Sequence, residues 1–395
     1  MPNLVGIGNS QVPTNGMLGG LAYENSSVLD QVRSGRKNMI INGDMRINQR
    51  YGTSSSTEKD RVTVDRWRES NPGASGMSHQ TVSDSPDGFE FSEKMTMGSS
   101  SYSVSSTQTF YFQQNIEAHT AKQLQLGQST AKNYTVSFWV KSSLTGQFGI
   151  ASGNTSQGGY ASGSYTTRTF ISSYQINDAG TWEYKTVTFP GDTSGTWQRS
   201  GTGSGLSIIF DLGAGSTHEG TPGQWNSNND FRMPGSMRMG PTANSTWQIT
   251  GVQLEEGDVA TSFEYRSLCE ELKLCQRYYA IFHPTGQEQI YIESGSTSTH
   301  SFWNAPIPAG MRAEPTANLL GTWTGGGIVG GRTVSAVSVQ QIDNGGLEGT
   351  THPGSMGRVS CRVSRSGSAY GDGEIRHTDA WGSGNAWIGY DAEIG

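Results

Sequence analysis

Residues 265–279, which read YRSLCEELKLCQRYY, form the one strong helix pattern in the C-terminal two thirds of the chain. Their apolar side chains recur at intervals of three and four. Two heptads are too short to be stable in isolation, because helix nucleation is costly. The pattern therefore needs a partner, either a sheet of the same chain or copies of the helix from other subunits. It predicts a helical hinge with one apolar seam, made of Tyr265, Leu268, Leu272, Cys275 and Tyr279.

Outside this stretch, the sequence favours short strands joined by glycine-rich turns. The 395 residues include 54 glycines, and 15% are charged while 10% are aromatic, which a disordered chain would lack. Residues 134–141 (YTVSFWVK) and 181–189 alternate apolar and polar side chains, and residues 206–212 are mostly apolar. We therefore predict an all-β fold, in which two antiparallel β-sandwich (jelly-roll-like) domains are joined by a short α-helix and preceded by an N-terminal arm.

The predicted organisation has four parts, which are an arm (1–37), a jelly-roll domain (38–264), the helical hinge (265–282) and a C-terminal tip domain (283–395). Two interpretations of residues 1–37 stay open, a flexible terminus and an arm that docks into a larger assembly. The net charge of −7 argues against a nucleic-acid partner, whose phosphates require a basic surface. No apolar run reaches the length of a membrane span, and the first residues lack a signal-peptide pattern. We expect synthesis in a cytoplasm and no membrane insertion.

The sequence contains no recognisable catalytic or metal-binding motif. It has no GxSxG, HExxH, P-loop or CxxC pattern and no Rossmann glycine pattern after a strand. Three cysteines, Cys269, Cys275 and Cys361, have no metal spacing and are interpreted as plain thiols. Adjacent Glu255 and Glu256 would point to opposite faces of a strand and are interpreted as solvated or capping charges. We predict no enzyme activity, no cofactor and no metal site.

Several strings resemble phage tail fibre proteins. They are residues 38–50 (NMIINGDMRINQR), 134–141, 188–197 (TFPGDTSGTW) and 249–279, which ends in SFEYRSLCEELKLCQRYY. The resemblance covers about residues 38–280, and residues 302–317 resemble the start of a fibre tip. It implies a jelly-roll module similar to carbohydrate-binding modules, followed by this same helix. It also implies a homotrimer, attachment to a virion tail or baseplate protein through residues 1–37, synthesis in the host cytoplasm and a final place in the virion.

The resemblance leaves two function classes and two roles for the seam. The first class is a non-catalytic receptor-binding fibre that recognises a glycan or protein on the host cell surface. The alternative is a tailspike-like enzyme that degrades a surface polysaccharide. Tailspikes usually carry a long repetitive β-helix, and no such period occurs here, so we predict the binding protein. The seam could join three subunits, or it could pack back on its own jelly roll.

The predicted tip domain carries the candidate receptor site. Aromatic residues lie in glycine-rich runs there, such as residues 321–331 and 370–393. A flat ring on a loop can stack on a sugar while polar neighbours bind its hydroxyls. The alternative is that these rings fill the core of a small β domain. We predict receptor contacts at Trp323, Trp381, Tyr390, His377 and His352.

Overall fold

The computed structural model describes residues 37–154 and 167–282 and parts of the remaining chain. Those parts are residues 292–293, 300–306, 310–312, 316–320, 323–326, 334–343, 358–365, 379–382 and 387–393. The predicted N-terminal arm lies outside the described residues except for Lys37, so its attachment role stays a prediction.

Eleven strands in the described part up to residue 256 build a β-sandwich. In chain order they are β1 (Arg68–Ser70), β2 (Ser78–Val82), β3 (Ser92–Thr96), β4 (Tyr111–Glu117), β5 (Tyr134–Ser142), β6 (Gly146–Gly153), β7 (Thr169–Ile176), β8 (Glu183–Phe189), β9 (Ser204–Asp211), β10 (Trp225–Asn226) and β11 (Thr246–Glu256). Helix α1 (Ala118–Ala121) follows β4, and short 3-10 turns lie at Gly73–Ser75, Lys122–Leu124 and Ser216–His218.

The strands form two antiparallel sheets. One has six strands in the order β1-β4-β9-β6-β7-β10, and the other has five in the order β2-β3-β11-β5-β8. Aromatic rings from both sheets fill the space between them: Phe138 contacts Phe210 at 5.0 Å between ring centroids, and Trp247 contacts Phe112 at 5.8 Å. The predicted all-β class is confirmed. The patterns at residues 134–141, 181–189 and 206–212 correspond to β5, β8 and β9, and every residue of β9 is buried.

The C-terminal part continues the antiparallel architecture. Its strands are β12 (Tyr279–Phe282), β13 (Ile292–Glu293), β14 (His300–Pro306), β15 (Thr316–Leu320), β16 (Trp323–Gly326), β17 (Val334–Asp343), β18 (Arg358–Arg365), β19 (Asp379–Gly382) and β20 (Trp387–Asp391). They pair as β12-β20-β15, β13-β14-β18-β17 and β16-β19. Because β12 pairs with β20, the strand that follows the hinge shares a sheet with the end of the chain. The three predicted boundaries between the four parts of the chain stay predictions.

Helix α2 (Leu268–Gln276) is shorter than the predicted stretch of residues 265–279. Ser267 caps it, since its side chain accepts a hydrogen bond from the Glu270 backbone N–H at 3.2 Å. Tyr265 lies before the cap, and Tyr279 is already the first residue of β12. The predicted five-residue seam is therefore not one helical stripe, because the cap and the strand end the helix inside it.

The seam residues also differ in exposure. Cys275 and Tyr279 are buried within the chain, whereas Tyr265 is 60% exposed and Leu268 is 56% exposed. Burial raises the pKa of the Cys275 thiol well above its ordinary value. Glu271 and Cys275 are the buried residues of α2, so the face that contains them packs on the rest of the chain. This packing corresponds to the second role considered for the seam, in which it packs back on its own jelly roll. Leu272 is partly exposed, and the homotrimer stays a prediction.

The two ends of the sandwich segment meet in a buried polar junction, which consists of Asn38, Asn42, Gly43, Arg266 and Glu271. The Arg266 guanidinium donates to the carbonyl oxygens of Asn38 at 2.5 Å and Ile40 at 3.0 Å. The Asn42 backbone N–H donates to Glu271 Oε1 at 2.5 Å. A Cβ at Gly43 would lie 2.1 Å from the Val252 carbonyl oxygen, so only glycine allows this approach.

Charged and aromatic side chains hold the chain beyond the helix. The Arg66 guanidinium is paired with the Glu393 carboxylate and lies 3.4 Å from the centroid of the Tyr278 ring. The Arg50 guanidinium lies 3.6 Å from the centroid of the Tyr279 ring. These contacts are cation–π pairs in a buried setting, where such pairs are strongest. They fix the residues that leave α2 against the sandwich.

The junction yields a stability prediction. Arg266→Ala leaves Glu271 buried without its cationic neighbour, and breaking a buried pair in this way costs about 3–5 kcal/mol. We expect a loss of this size in urea unfolding of the full chain, followed by tryptophan fluorescence. The matched control is Lys273→Ala on the exposed side of the same helix, which should change stability by less than about 0.5 kcal/mol. Equal midpoints for the two variants would contradict a structural role for Arg266.

Glu69 yields a prediction about pH. Burial raises the pKa of its carboxyl from the ordinary 4.5 to about 8, and Asn71 Nδ2 supplies one hydrogen bond at 2.7 Å. A carboxyl whose pKa is raised on folding stabilises the fold below its unfolded pKa, and that stability is lost as the pH rises through the folded value. Glu69→Gln should therefore raise the melting temperature relative to wild type at about pH 9 and change it little at about pH 5.

The control for this pH effect is Glu90→Gln, which alters an exposed carboxyl. Its melting curves should follow wild type at both pH values. A Glu69→Gln variant that is less stable than wild type at the higher pH would show that the carboxylate itself supports the fold.

Candidate functional site

The outer face of the five-stranded sheet carries an outward-facing aromatic pair. Side chains alternate along a strand, and Phe138 and Val140 of β5 point into the core, so Trp139 points outward. Tyr184 of β8 lies directly opposite Trp139, with ring centroids 5.4 Å apart. Trp139 is half-buried, and Tyr184 is 45% exposed. The sandwich thus presents two adjacent rings where an alternating strand would place polar side chains.

Asp84 organises the polar groups beside this pair. Its carboxylate accepts hydrogen bonds from Lys141 Nζ at 2.6 Å, Gln248 Nε2 at 3.0 Å and Trp182 Nε1 at 3.2 Å. Burial alone would raise the pKa of Asp84, but the hydrogen bonds from Lys141 and Trp182 lower it below its ordinary value. The carboxylate is therefore ionised at neutral pH and holds the Trp182 ring in place.

A second aromatic group lies nearer to α2. Phe89, Phe263 and Tyr265 contact one another with ring centroids 5.0–5.7 Å apart. The Tyr265 hydroxyl donates to the Gly88 carbonyl oxygen at 3.2 Å. Phe89 comes from the loop between β2 and β3, and the other two rings follow β11. Loops that are far apart in the sequence therefore bring these rings together.

Two buried side chains of β11 place the segment that carries Phe263. Glu255 accepts hydrogen bonds from the Thr261 backbone N–H at 2.8 Å and from its hydroxyl at 2.7 Å. Gln253 Oε1 accepts one from the Glu264 backbone N–H at 2.8 Å. Of the two interpretations of Glu255, a solvated or a capping charge, the solvated one is wrong, because the returning chain covers the carboxylate, which binds a backbone N–H of that chain. Glu256, as expected, is a surface charge, paired with Lys132 at 2.8 Å.

Gly251 connects the two ring groups. It lies at a break in the pairing between β11 and β5, with a φ of +63°. A Cβ at this position would be 2.6 Å from Phe89 Cζ and 3.1 Å from Trp139 Cδ1, so both rings lie close against the glycine backbone. The result is a continuous aromatic track on the outer face, which comprises Tyr184, Trp139, Phe89, Phe263 and Tyr265.

The chemistry of the track is that of stacking combined with hydrogen bonding. Exposed rings offer flat apolar surfaces, and Asp84, Lys141 and Gln248 offer ordered donors and acceptors beside them. In the described part of the chain, no three His, Cys, Asp or Glu side chains form a group that could hold a metal ion. Among the same residues, no helix has the length and apolar character needed to cross a membrane.

The predicted tip residues lie apart from the track in the sequence. Trp323 and Trp381 lie on the paired strands β16 and β19, where Trp323 is opposite Gly382 and Trp381 is opposite Thr324. Tyr390 lies in β20, opposite Ala280 on one side and Ala317 on the other. The structure thus brings the two tryptophans to one small sheet and places Tyr390 in another. His352 and His377 lie outside the described residues, and the receptor role of all five stays a prediction.

The aromatic track was not predicted from the sequence, although the sequence contains an indication of one part of it. In the run YTVSFWVK the alternating apolar positions are Tyr134, Val136, Phe138 and Val140. Trp139 is therefore an aromatic residue at a position where the alternation predicts a polar one. Tyr184 occupies the polar phase of β8 in the same way. An aromatic residue in the outward phase of a strand is the signal that could have indicated this pair.

The comparisons with known proteins found solved structures that resemble this chain with low TM-scores. No family model matches the chain, and no curated protein sequence is significantly similar to it. One similar solved structure is a putative sugar binding protein from Bacteroides thetaiotaomicron, at 12% identity and a TM-score of 0.34, covering 56% of this chain and 100% of that one. Another is the enzymatically active domain of tailspike protein 4 from bacteriophage CBA120, at 12% identity and a TM-score of 0.28, covering 56% of this chain and 22% of that one.

A third is a family 11 carbohydrate-binding module from Clostridium thermocellum, solved with a mixed-linked tetrasaccharide. It is 13% identical with a TM-score of 0.27, and the match covers 53% of this chain and 98% of the module. Likeness at these scores carries no conclusion about function.

Proposed function

We propose that this protein is a non-catalytic attachment protein of the phage tail-fibre type, which binds a glycan on the host cell surface. The observation that carries the proposal is the outward-facing pair of Trp139 and Tyr184 beside the Asp84 network. Exposed aromatic rings in contact with each other add nothing to the core between the sheets. Such rings with fixed polar neighbours suit a ligand that has both apolar faces and hydroxyl groups, as a sugar does.

The tail-fibre part of the proposal is supported by the resemblance of residues 38–280. Its most specific piece, residues 252–279, and the string at residues 38–50 together supply all the residues of the junction. The resemblance is thus concentrated where α2 is fixed to the sandwich. The homotrimer, the attachment of residues 1–37 to a tail or baseplate protein and the location in the virion belong to the same proposal. The tip domain is the other candidate for receptor contact.

The test is binding of the full-length protein to an array of bacterial surface polysaccharides. We expect binding to at least one glycan, and Tyr184→Ala and Trp139→Ala should each weaken it by about 5- to 150-fold, since an anchoring aromatic residue contributes about 1–3 kcal/mol. The control is Lys122→Ala, an exposed residue at the 3-10 turn after α1, which should bind as wild type does. Melting temperatures of all variants verify folding.

The outcomes separate the elements of the proposal. Loss of binding in Trp323→Ala and Trp381→Ala, with the sandwich variants unaffected, would move the receptor site to the tip. Release of oligosaccharides during incubation with the bound polysaccharide would show that the protein is a tailspike-like enzyme. Absence of binding to every glycan on the array would contradict glycan recognition altogether.

A further inference from the structure

We propose, on the basis of the glycan-binding function proposed above, that the aromatic track binds one linear, neutral oligosaccharide of several sugar units. The chain would run from Tyr184 on β8, across β5 and β11, to Tyr265 in front of α2. A short saccharide would occupy one end only. The site would therefore distinguish saccharides by their length.

The exposure of the rings along the track supports a long ligand. Tyr184 at one end is 45% exposed and Tyr265 at the other is 60% exposed, while Trp139, Phe89 and Phe263 between them are half-buried. The three central rings thus form a floor, and the two terminal rings stand free. A ligand that contacts both free rings has to cross the floor.

Gly251 makes the floor continuous. Because no side chain rises from β11 at this position, Phe89 and Trp139 both approach its backbone. The φ of +63° also favours glycine there. Any larger residue would push Phe89 away and divide the track into two ring groups. A site for a single sugar at Trp139 and Tyr184 would not require a position without a side chain between Trp139 and Phe89.

The track is held in place before any ligand arrives. The Ser85 hydroxyl donates to the Phe89 carbonyl oxygen at 2.6 Å, and the Ser92 hydroxyl donates to the Asp84 carbonyl oxygen at 2.6 Å. The Tyr265 hydroxyl donates to Gly88 in the same loop. Rings that are already ordered lose little conformational entropy on binding, which favours weak contacts summed along a chain.

The charges around the track favour a neutral ligand. On the outer face, Lys141 Nζ lies 2.6 Å from the Asp84 carboxylate, and Lys94, opposite Gln248, is close enough to lower the pKa of the same carboxyl. Both lysines thus face a carboxylate already bound to this surface, whereas recognition of a polyanion uses cations that are available for pairing. Exposed Asp87 and Glu90 flank Phe89 and would repel an acidic chain. The ligand class is therefore a neutral chain whose hydroxyl groups are bound by amides and carboxylates.

The experiment is calorimetric titration of the full-length protein with length series of linear glucan, galactan, xylan and mannan, from disaccharide to hexasaccharide. An oligogalacturonate series serves as the acidic comparison. We expect one neutral hexasaccharide to bind at least about tenfold more tightly than its disaccharide. Tyr265→Ala should abolish this advantage, and Tyr184→Ala should weaken both lengths.

Two variants control for indirect effects. Tyr265→Phe retains the ring and loses only the hydrogen bond to Gly88, so it should keep the length dependence. Val259→Ala alters an exposed apolar residue that is not a ring and lies outside the predicted seam, and it should behave as wild type. Light scattering after size exclusion measures the mass of every variant. A lower mass for Tyr265→Ala would show that this end is a subunit contact, and that result would overturn the proposal.

The remaining outcomes distinguish the inference from the function on which it rests. If a neutral disaccharide binds as tightly as the hexasaccharide and depends on Tyr184, glycan binding stands and the extended site is wrong. If only the oligogalacturonate binds, the neutral ligand class is wrong. If no saccharide binds, both the extended site and the glycan-binding function are overturned.

Discussion

The buried guanidinium of Arg266 is the interaction on which the sandwich and the helix jointly depend. It donates to the Asn38 and Ile40 carbonyl oxygens and lies 3.4 Å from Glu271 Oε1. A charge removed from water is tolerated only when hydrogen bonds and an opposite charge replace its hydration. The chain meets this condition only when residues 37–42, the end of β11 and α2 are all in place. One residue therefore couples the start of the domain to its end.

The same coupling places half of the aromatic track. Arg266 fixes the end of the segment that follows β11, and Glu255 and Gln253 fix its middle. Between these anchors the backbone has one path across the outer face, and that path carries Phe263 and Tyr265 to Phe89. The segment that joins the helix to the sandwich thus also carries the two rings that complete the candidate site. Stability and the candidate site therefore depend on one stretch of sequence.

Periodicity predicted what is local and missed what depends on distant contacts. The strands β5 and β9 follow from side-chain alternation and from a continuous apolar run, and both are confirmed. The helix was predicted too long because the intervals of three and four extend beyond it at both ends. Ser267 caps the helix at its start, and β12 begins soon after its last residue, Gln276. Glu271 is buried although glutamate is usually exposed, and only its contacts with Arg266 and Asn42 explain why. Phe89 and Phe263 meet through loops, which no spacing rule connects.

The two ends of the track are set apart from the buried aromatic residues of the sandwich by their exposure. Trp67, Trp197 and Trp247 are buried, and the hydrogen-bond donors of Trp67 and Trp247 are satisfied by Asn42 and Tyr174. Tyr184 and Tyr265, by contrast, keep about half of their surface in water. Exposed apolar surface of this kind carries a risk of aggregation and adds little to folding. Its concentration on one face, with a glycine that leaves room between the rings, is better explained by a ligand than by the fold.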